Sequence, residues 1–306
     1  MSILDLIIIG AGPAGLTAAQ YGARANLKVL VLERLSPGGQ ASSIDILENY
    51  PGIDKKSGYD FSMDLHKKAE EFGASFLFSD VVSLKKEGNI FTLGLHDGSS
   101  VSAAAVIIAT GAKPRFLDVP GEKEFAGKGV SYCATCDGSF FKSKKIFVVG
   151  GGDAACDEAR YLSRLTDKII LIHRRDSFRA QKALVQRTIN NPNITIRYNT
   201  VIKEIKGEAK VKFVVLSDTK TGEIYEEETD AVFIFAGTVP QVSLVSGLKA
   251  QLDEIGYIIT NQNMSTNIPG LFAAGDVRSG AFRQVITAAA DGAAAAHHAA
   301  GYINEN

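Results

Sequence analysis

Cysteine is scarce in this chain: three in 306 residues, at Cys133, Cys136 and Cys156. That is too few for a secreted scaffold stapled by disulfides. Neither sign of charge dominates, with 33 Lys and Arg against 34 Asp and Glu for a net charge of -1, so no global basic field draws nucleic acid or an anionic membrane as a partner. No apolar run is long enough to span a bilayer. The N-terminal MSILDLIIIGAG has no basic stretch before its apolar residues and no small-residue cleavage site after them, so it is not expected to be a secretory signal. Low-complexity tracts are missing too, and 45% hydrophobic against 22% charged residues is ordinary for a globular protein. These absences leave a folded chain, long enough for two domains and expected to be an enzyme of the cytoplasm.

What is present in quantity is glycine in two ordered turns. Leu4 to Ile9 is a short apolar run, followed at once by Gly10, Gly12, Pro13, Ala14 and Gly15 and then by the helical LTAAQYGARA. Strand, tight turn and helix in this order suit a pyrophosphate: Gly10 permits the turn, Gly12 admits a close approach, and Gly15 lets helix and strand pack together. The next strand, KVLVL, ends at Glu33, at the distance from the glycines where an acid accepts hydrogen bonds from a ribose diol.

A second unit of the same kind follows Lys145, in IFVVGGGDAACDEARYL, with Gly150, Gly152 and Ala155 at the motif positions. Its next strand, KIILI, ends in His173, Arg174 and Arg175, with Arg179 four further on. A carboxylate there would repel a 2′-phosphate, whereas clustered guanidinium groups bind it, so this site reads as one for NADPH. The first, with its acid, suits the AMP half of FAD. Two dinucleotides in one chain point to a flavin standing between nicotinamide and substrate.

The expected fold class is therefore α/β, with two Rossmann-like dinucleotide-binding domains. The proline- and glycine-rich KPRFLDVPGEKEFAG reads as a linker, and IPGLFAAGDVRSG returns to a strand and turn before an alanine-rich helix. The FAD domain is then discontinuous, residues 1–117 and 248–306, with an inserted NADPH domain over 118–247. Within the insert, VKFVVLSD and ETDAVFIFAG read as strands of a small antiparallel excursion joined by a charged turn, Thr219 to Glu228.

Cys133 and Cys136 are separated only by Ala134 and Thr135. Zinc takes four ligands, commonly from two such pairs, and Cys156 has no cysteine or histidine at ligand spacing; it reads as a small buried apolar residue. His297 and His298 are adjacent and do not share a helix face, so no metal site is expected. A purely structural disulfide between residues three apart closes too short a loop to stabilise much. Redox cycling is the best remaining reading. Asp137, next in sequence, suits proton transfer to a thiol and equally a turn with Gly138.

These motifs together resemble the low-molecular-weight thioredoxin reductases, of the class II pyridine nucleotide-disulfide oxidoreductases. The resemblance spans nearly the whole chain and rests on GAGPAG at Gly10, GGQ at Gly38, ENYPG at Glu48, ATG at Ala109, CATCDG at Cys133, VGGGDAA at Val149, HRRDSFRA at His173 and AAGDVRSGAFRQ at Ala273. It implies that hydride passes from NADPH to FAD, that the Cys133–Cys136 disulfide is reduced in turn, and that the dithiol reduces thioredoxin or a thioredoxin-like protein through a mixed disulfide. By the same match Cys136 lies nearer the flavin and Asp137 is the acid–base group. FAD contacts are implied for Gly38, Gly39, Gln40, Asn49, Thr110 and Gly111, and on the C-terminal side for Gly275, Asp276, Arg283, Gln284 and Val285. NADPH contacts are implied for Gly152, Asp153, Ala154 and Ala155, with His173, Arg174, Arg175 and Arg179. A homodimer is implied, as is a rotation of the inserted domain about linkers near Asp118–Lys123 and Gly237–Gly247.

The chain departs from the family at three places. Ser139 stands where the first of two phenylalanines often follows CDG, Lys128 where an arginine commonly assists docking, and Thr238 where a histidine is frequent. These bear on partner affinity more than on chemistry. Competing readings are a dithiol oxidase of the same architecture, against which the intact HRRDSFR argues, a reductase of another thioredoxin-fold partner, and a flavin redox sensor without turnover. A fused partner domain is not expected, because the first strand begins near Leu4.

Overall fold

The structure, a computed structural model, describes residues 3–44, 47 and 49–305. Glu48, the first residue of ENYPG, lies outside the described residues. The chain divides into two compact units, Met1–Lys113 with Pro240–Asn306, and Pro114–Val239. It crosses between them on two short strands that pair with each other.

The first stretch of the chain runs β1 (Leu4–Ile9), α1 (Pro13–Arg24), β2 (Val29–Glu33), α2 (Gly58–Glu71), β3 (Ser75–Phe78), β4 (Val81–Glu87), β5 (Ile90–Leu95), β6 (Ser100–Ile108) and the crossing strand β7 (Ala112–Pro114). The inserted unit holds β8 (Val130–Ser131), α3 (Ala134–Asp137), β9 (Ile146–Gly150), α4 (Asp153–Leu162), β10 (Ile169–Ile172), α5 (Lys182–Ile189), β11 (Ile194–Arg197), β12 (Thr200–Gly207), β13 (Val211–Asp218), β14 (Ile224–Glu228), β15 (Ala231–Phe235) and the returning β16 (Thr238–Pro240). The chain closes with β17 (Leu271–Ala273) and α6 (Val285–Glu305).

Both units carry a five-stranded parallel sheet in which four strands share one order; the fifth, beside them, comes last in the chain in one unit (β17) and first in the other (β8). In the first, β3, β2, β1, β6 and β17 lie side by side, all parallel; β6 is long enough that its opening residues also pair antiparallel with β5, which pairs with β4. In the second, β11, β10, β9, β15 and β8 follow the same plan, and β12, β13 and β14 form a separate antiparallel sheet. The central strands β1, β9, β10 and β15 are largely buried on both faces and so read as nearly unbroken apolar runs. Within them the two-residue period still sorts the side chains: Leu6 and Ile8 face α1 and α6, while Ile7 and Ile9 face the meander. Likewise Ile146 and Val148 pack against α4, while Phe147 packs against Ile202, Val214 and Leu216. The fold is mixed α/β with parallel sheets, two Rossmann-like units in one chain.

Two local expectations are corrected. The charged stretch Thr219 to Glu228 is not all turn: Ile224–Glu228 is a strand, the exposed edge of the antiparallel sheet, where charged side chains protect an open edge. Ala231–Phe235 belongs not to that excursion but to the parallel sheet, beside β9. The units divide at Lys113/Pro114 and Val239/Pro240, ahead of the boundaries drawn from the Pro- and Gly-rich segments. Pairing of β7 with β16 sets the crossing, and Val242, Leu244, Val245 and Leu248 pack with the core of the first unit.

Candidate active site

In the first unit the turn after β1 is built by close approach. Gly10 has φ +104°, and a Cβ on it would lie 2.5 Å from the carbonyl oxygen of Ala109. A Cβ on Gly15 would lie 1.8 Å from the Gly10 oxygen. Gly12 is different: its φ is -73° and a Cβ there would meet nothing within 4 Å. The protein alone gives Gly12 no reason to be glycine, and an open face at a helix start is what a closely approaching pyrophosphate requires. Pro13 opens α1, and Ala14 lies under Gly275, whose own Cβ would sit 2.9 Å from that of Ala14.

Glu33, Gly38 and Gly39 lie against this turn, and other expected residues of the unit pair elsewhere within it. Glu33 accepts from the Ala11 N–H through Oε2 at 2.8 Å and from the Leu35 N–H through Oε1 at 3.0 Å, so its carboxylate is held beside the turn with lone pairs left for a diol. Gly38 donates its N–H to the Ala11 oxygen at 2.7 Å, and Gly39 lies against Gly12. Gln40 donates through Nε2 to the Ala112 oxygen, just past Thr110 and Gly111, and Thr110 donates to the Gln241 oxygen at 2.6 Å. Asn49 donates to Gln284 Oε1 at 3.0 Å, joining two expected residues far apart in sequence. Arg283 adopts φ +58° and places its guanidinium 4.5 Å from the centre of the Tyr257 ring. Burial pushes the Asp276 carboxyl up, Arg283 pulls it back and Asp291 adds to the rise. Val285 is the first residue of α6.

A clamp that the sequence reading missed holds this end together. Asp291, on α6, takes Arg278 Nε on Oδ2 at 2.5 Å and Nη2 on Oδ1 at 2.8 Å, and accepts the Gly275 N–H at 3.2 Å. Its only sequence signal is an acid inside an otherwise alanine-rich helix.

The second unit repeats the cradle with different chemistry. Gly152 has φ -101° and an open Cβ position, as Gly12 does. Ala155 is buried under Gly150, and Ala154 is exposed on the first turn of α4. Asp153 accepts from the Gln181 backbone N–H at 2.7 Å. Gly151 lies against the His173 ring, 2.2 Å from a Cβ to Nδ1, and accepts the Arg179 N–H at 2.7 Å. His173 is 7% exposed, and its Nε2 has no partner among the described residues. Burial first, then Arg175, Arg174 and Arg179, hold this imidazole below the ordinary histidine range, so it is neutral at physiological pH. Those three arginines are exposed, and among the described residues none has a carboxylate within ion-pair reach. An anion would find them ready.

Cys133 and Cys136 are joined by a disulfide, Cα to Cα 5.3 Å, across the single turn of α3. This turn rests on α4 of the same unit through Ala134, which shares a core with Ala155, Ala159 and Leu162. The turn that holds the disulfide thus packs against the helix that the second glycine turn opens. Asp137 accepts a hydrogen bond on Oδ2 from Ser131 Oγ at 2.6 Å. Ser131 was not anticipated. Neither was Glu122, fully buried, which takes the Tyr132 hydroxyl at 2.9 Å and the N–H groups of Leu117 and Asp118; burial, then this hydrogen bond, pushes the Tyr132 phenol up. Phe140 is 50% exposed, whereas Phe141 packs edge-on against Phe233. Cys156 is buried in α4, and no group of His, Cys, Asp and Glu among the described residues could hold a metal ion. No helix is long and apolar enough to cross a membrane among the described residues.

Two dinucleotide-type units and a disulfide poised on one of them define the class: an enzyme that couples a pyridine nucleotide to a disulfide. A family model described as pyridine nucleotide-disulphide oxidoreductase matches residues 4–292, and the chain belongs to that family. It is 52% identical over 301 residues, 98% of this chain and 97% of the relative, to the thioredoxin reductase of Treponema pallidum (strain Nichols). To that of Bacillus subtilis (strain 168) it is 45% identical over 304 residues, 99% of this chain and 96% of the relative. The crystal structure of thioredoxin reductase from Streptococcus pyogenes MGAS5005 is similar with a TM-score of 0.90 at 42% identity, covering 99% of each chain.

Proposed function

We propose that this chain is an NADPH-dependent thioredoxin-disulfide reductase, an FAD flavoprotein whose working group is the Cys133–Cys136 disulfide. One observation carries the reading: the turn that holds the disulfide packs against α4, the helix opened by the glycine turn suited to a nicotinamide dinucleotide. When bound, NADPH and FAD would supply the hydride chemistry and the two electrons that reduction of the disulfide requires.

The chain's own residues do the rest. Glu33 would hold the adenosine ribose of FAD, with Gly10, Gly12 and Gly15 admitting its pyrophosphate and Asn49, Asp276, Arg283 and Gln284 among its further contacts. Gly152 and Ala155 would admit the NADPH pyrophosphate, while Arg174, Arg175 and Arg179 would grip its 2′-phosphate. Two electrons and two protons convert the Cys133–Cys136 bond to two thiols. One, as thiolate, attacks the disulfide of a thioredoxin, forming a mixed disulfide and expelling a partner thiolate. The second cysteine then displaces the partner, which leaves as a dithiol while the Cys133–Cys136 bond re-forms. Asp137 is the group that gives and takes the accompanying protons at its carboxyl. The partner is a thioredoxin or thioredoxin-like protein, met by the exposed Phe140. The working form is a homodimer, and a reducing cytoplasm is the compartment that suits this chemistry.

Anaerobic titration of the purified holoprotein with NADPH is the test. The flavin should bleach, and the thiols of Cys133 and Cys136 should become titratable. Turnover with a thioredoxin should disappear in Cys133→Ser and in Cys136→Ser. Retention of the wild-type rate by both variants would remove the disulfide from the pathway.

A further inference from the structure

Ser131 ends β8, where the pairing of Ser131 with Phe233 fixes its place, and it is 4% exposed. Its hydroxyl lies among three groups of the active segment. It accepts the Cys133 N–H at 3.1 Å, and it has two acceptors for its single proton, Asp137 Oδ2 at 2.6 Å and the Cys133 carbonyl oxygen at 3.3 Å. A hydroxyl has one donor and two lone pairs, so these geometries describe two alternative settings of one rotor.

With Asp137 ionised, its carboxylate only accepts, and the Ser131 hydroxyl must point at Oδ2; the 2.6 Å separation is that of a charge-assisted O–H···O bond. With Asp137 protonated on Oδ2, the carboxyl donates to the second lone pair of Ser131 Oγ, and the serine proton swings to the Cys133 oxygen. Every polar group keeps a partner in both states, and no heavy atom needs to move. A buried polar group left without a partner is costly, so a residue able to serve both states makes proton gain and loss at Asp137 nearly free of rearrangement.

We propose that Ser131 is the positioning residue for proton transfer at Asp137, holding its carboxyl through both protonation states by rotation of the Ser131 hydroxyl between Asp137 and the Cys133 carbonyl. This rests on the reading of Asp137 as the acid–base group. Ser131 touches neither substrate nor sulfur in this role; it acts through Asp137. Threonine would carry the same hydroxyl, whereas alanine takes the Ser131 hydrogen bond away from the ionised carboxylate, which favours the protonated form.

The experiment is an infrared titration of the carboxyl band in holoprotein whose disulfide has been reduced chemically, with Asp137→Asn to assign the band. Ser131→Ala should move the midpoint of Asp137 upward by about one pH unit, and Ser131→Thr should restore it. In steady-state turnover with a thioredoxin, Ser131→Ala should lower kcat about tenfold, leave the KM for NADPH unchanged, and add no further loss in the Asp137→Asn background. If Ser131→Ala does not fold, Ser131→Gly removes the same hydroxyl and reads the same midpoint. An unmoved midpoint, or an equal loss of kcat with and without Asp137, overturns the role of Ser131 while leaving Asp137 in place. Unchanged turnover and pH profile in Asp137→Asn alone overturns the acid–base reading and the proposal with it.

Discussion

Gly12 and Gly15 sit three residues apart in one motif and should fail differently when changed. A methyl on Gly15 would be driven into the Gly10 oxygen at 1.8 Å, whereas one on Gly12 meets nothing within 4 Å. Gly15→Ala is expected to cost about 3 kcal/mol or more through overpacking against backbone, seen as a loss of thermal stability. Gly12→Val should keep the stability of the flavin-free protein and purify with little yellow colour, because the side chain fills the face meant for pyrophosphate. Normal flavin content in Gly12→Val would contradict that assignment. Glu158, half-buried on α4, is a second residue with a readable consequence. Burial, with Asp157 adding, raises its carboxyl from 4.5 to about 7. Because the folded value is the higher one, the native state holds this proton more tightly, so its contribution is most favourable below pH 4.5 and is lost as the pH rises to about 7. Glu158→Gln should therefore stabilise the protein at pH 8 by up to about 3 kcal/mol and leave it nearly unchanged at pH 4. Urea denaturation at the two pH values measures this, and an equal effect at both would refute it.

At the scale of elements, α1 and α6 pack backbone against backbone. A Cβ on Gly292 would lie 2.0 Å from the Ala14 oxygen, and Ala14, Ala18, Ala288, Ala295 and Ala299 line the same core. Small residues are what let the two backbones approach, and that approach seats Gly275 over Ala14 and Asp291 beside Arg278. Gly292→Val should push the helices apart at a cost of about 1–3 kcal/mol. It should also loosen FAD through the displaced Gly275–Asp276 turn, although Gly292 itself faces the Ala14 backbone. Measuring flavin retention against denaturation midpoint separates the two consequences; stability lost with flavin affinity intact would break the link. The alanine-rich run was legible as a packing helix from its composition. The Asp291 clamp was not, because Arg278 and Gly275 lie outside the helix and reach Asp291 only once β17 and α6 are folded against each other. Strand β14 was missed for a similar reason: IYEEE has few apolar residues, and its pairing with β13 decides its conformation.

As a molecule, the chain is one sheet plan used twice, with the second copy inserted into the first. Residues Pro114–Val239 leave and return on β7 and β16, which pair with each other, so the two ends of the insert lie close together. Both faces of its parallel sheet are covered from within, by α4 and α3 on one side and by the antiparallel sheet on the other. The segment 114–239 expressed alone should therefore unfold in one cooperative transition and bind NADPH with the affinity of the full chain within about tenfold. Circular dichroism against urea and fluorescence titration check this. A broad, non-cooperative transition would mean that the insert depends on the remainder of the chain.

The sequence by itself determined the two strand–turn–helix units, because pyrophosphate binding demands glycine at fixed spacing and a buried parallel strand demands an unbroken apolar run. It also marked the Cys133–Cys136 pair and the contrast between Glu33 and the Arg174–Arg175 cluster, each written in a few adjacent residues. Only the tertiary structure decided that the turn holding the disulfide packs on α4, that Asn49 meets Gln284, that Asp291 clamps Arg278, and that Ser131 donates to Asp137. Each of these joins side chains whose separation in the chain is unrelated to their separation in space. Local strings record what one segment must do. Hydrogen-bond partners across segments exist only when packing brings them within reach.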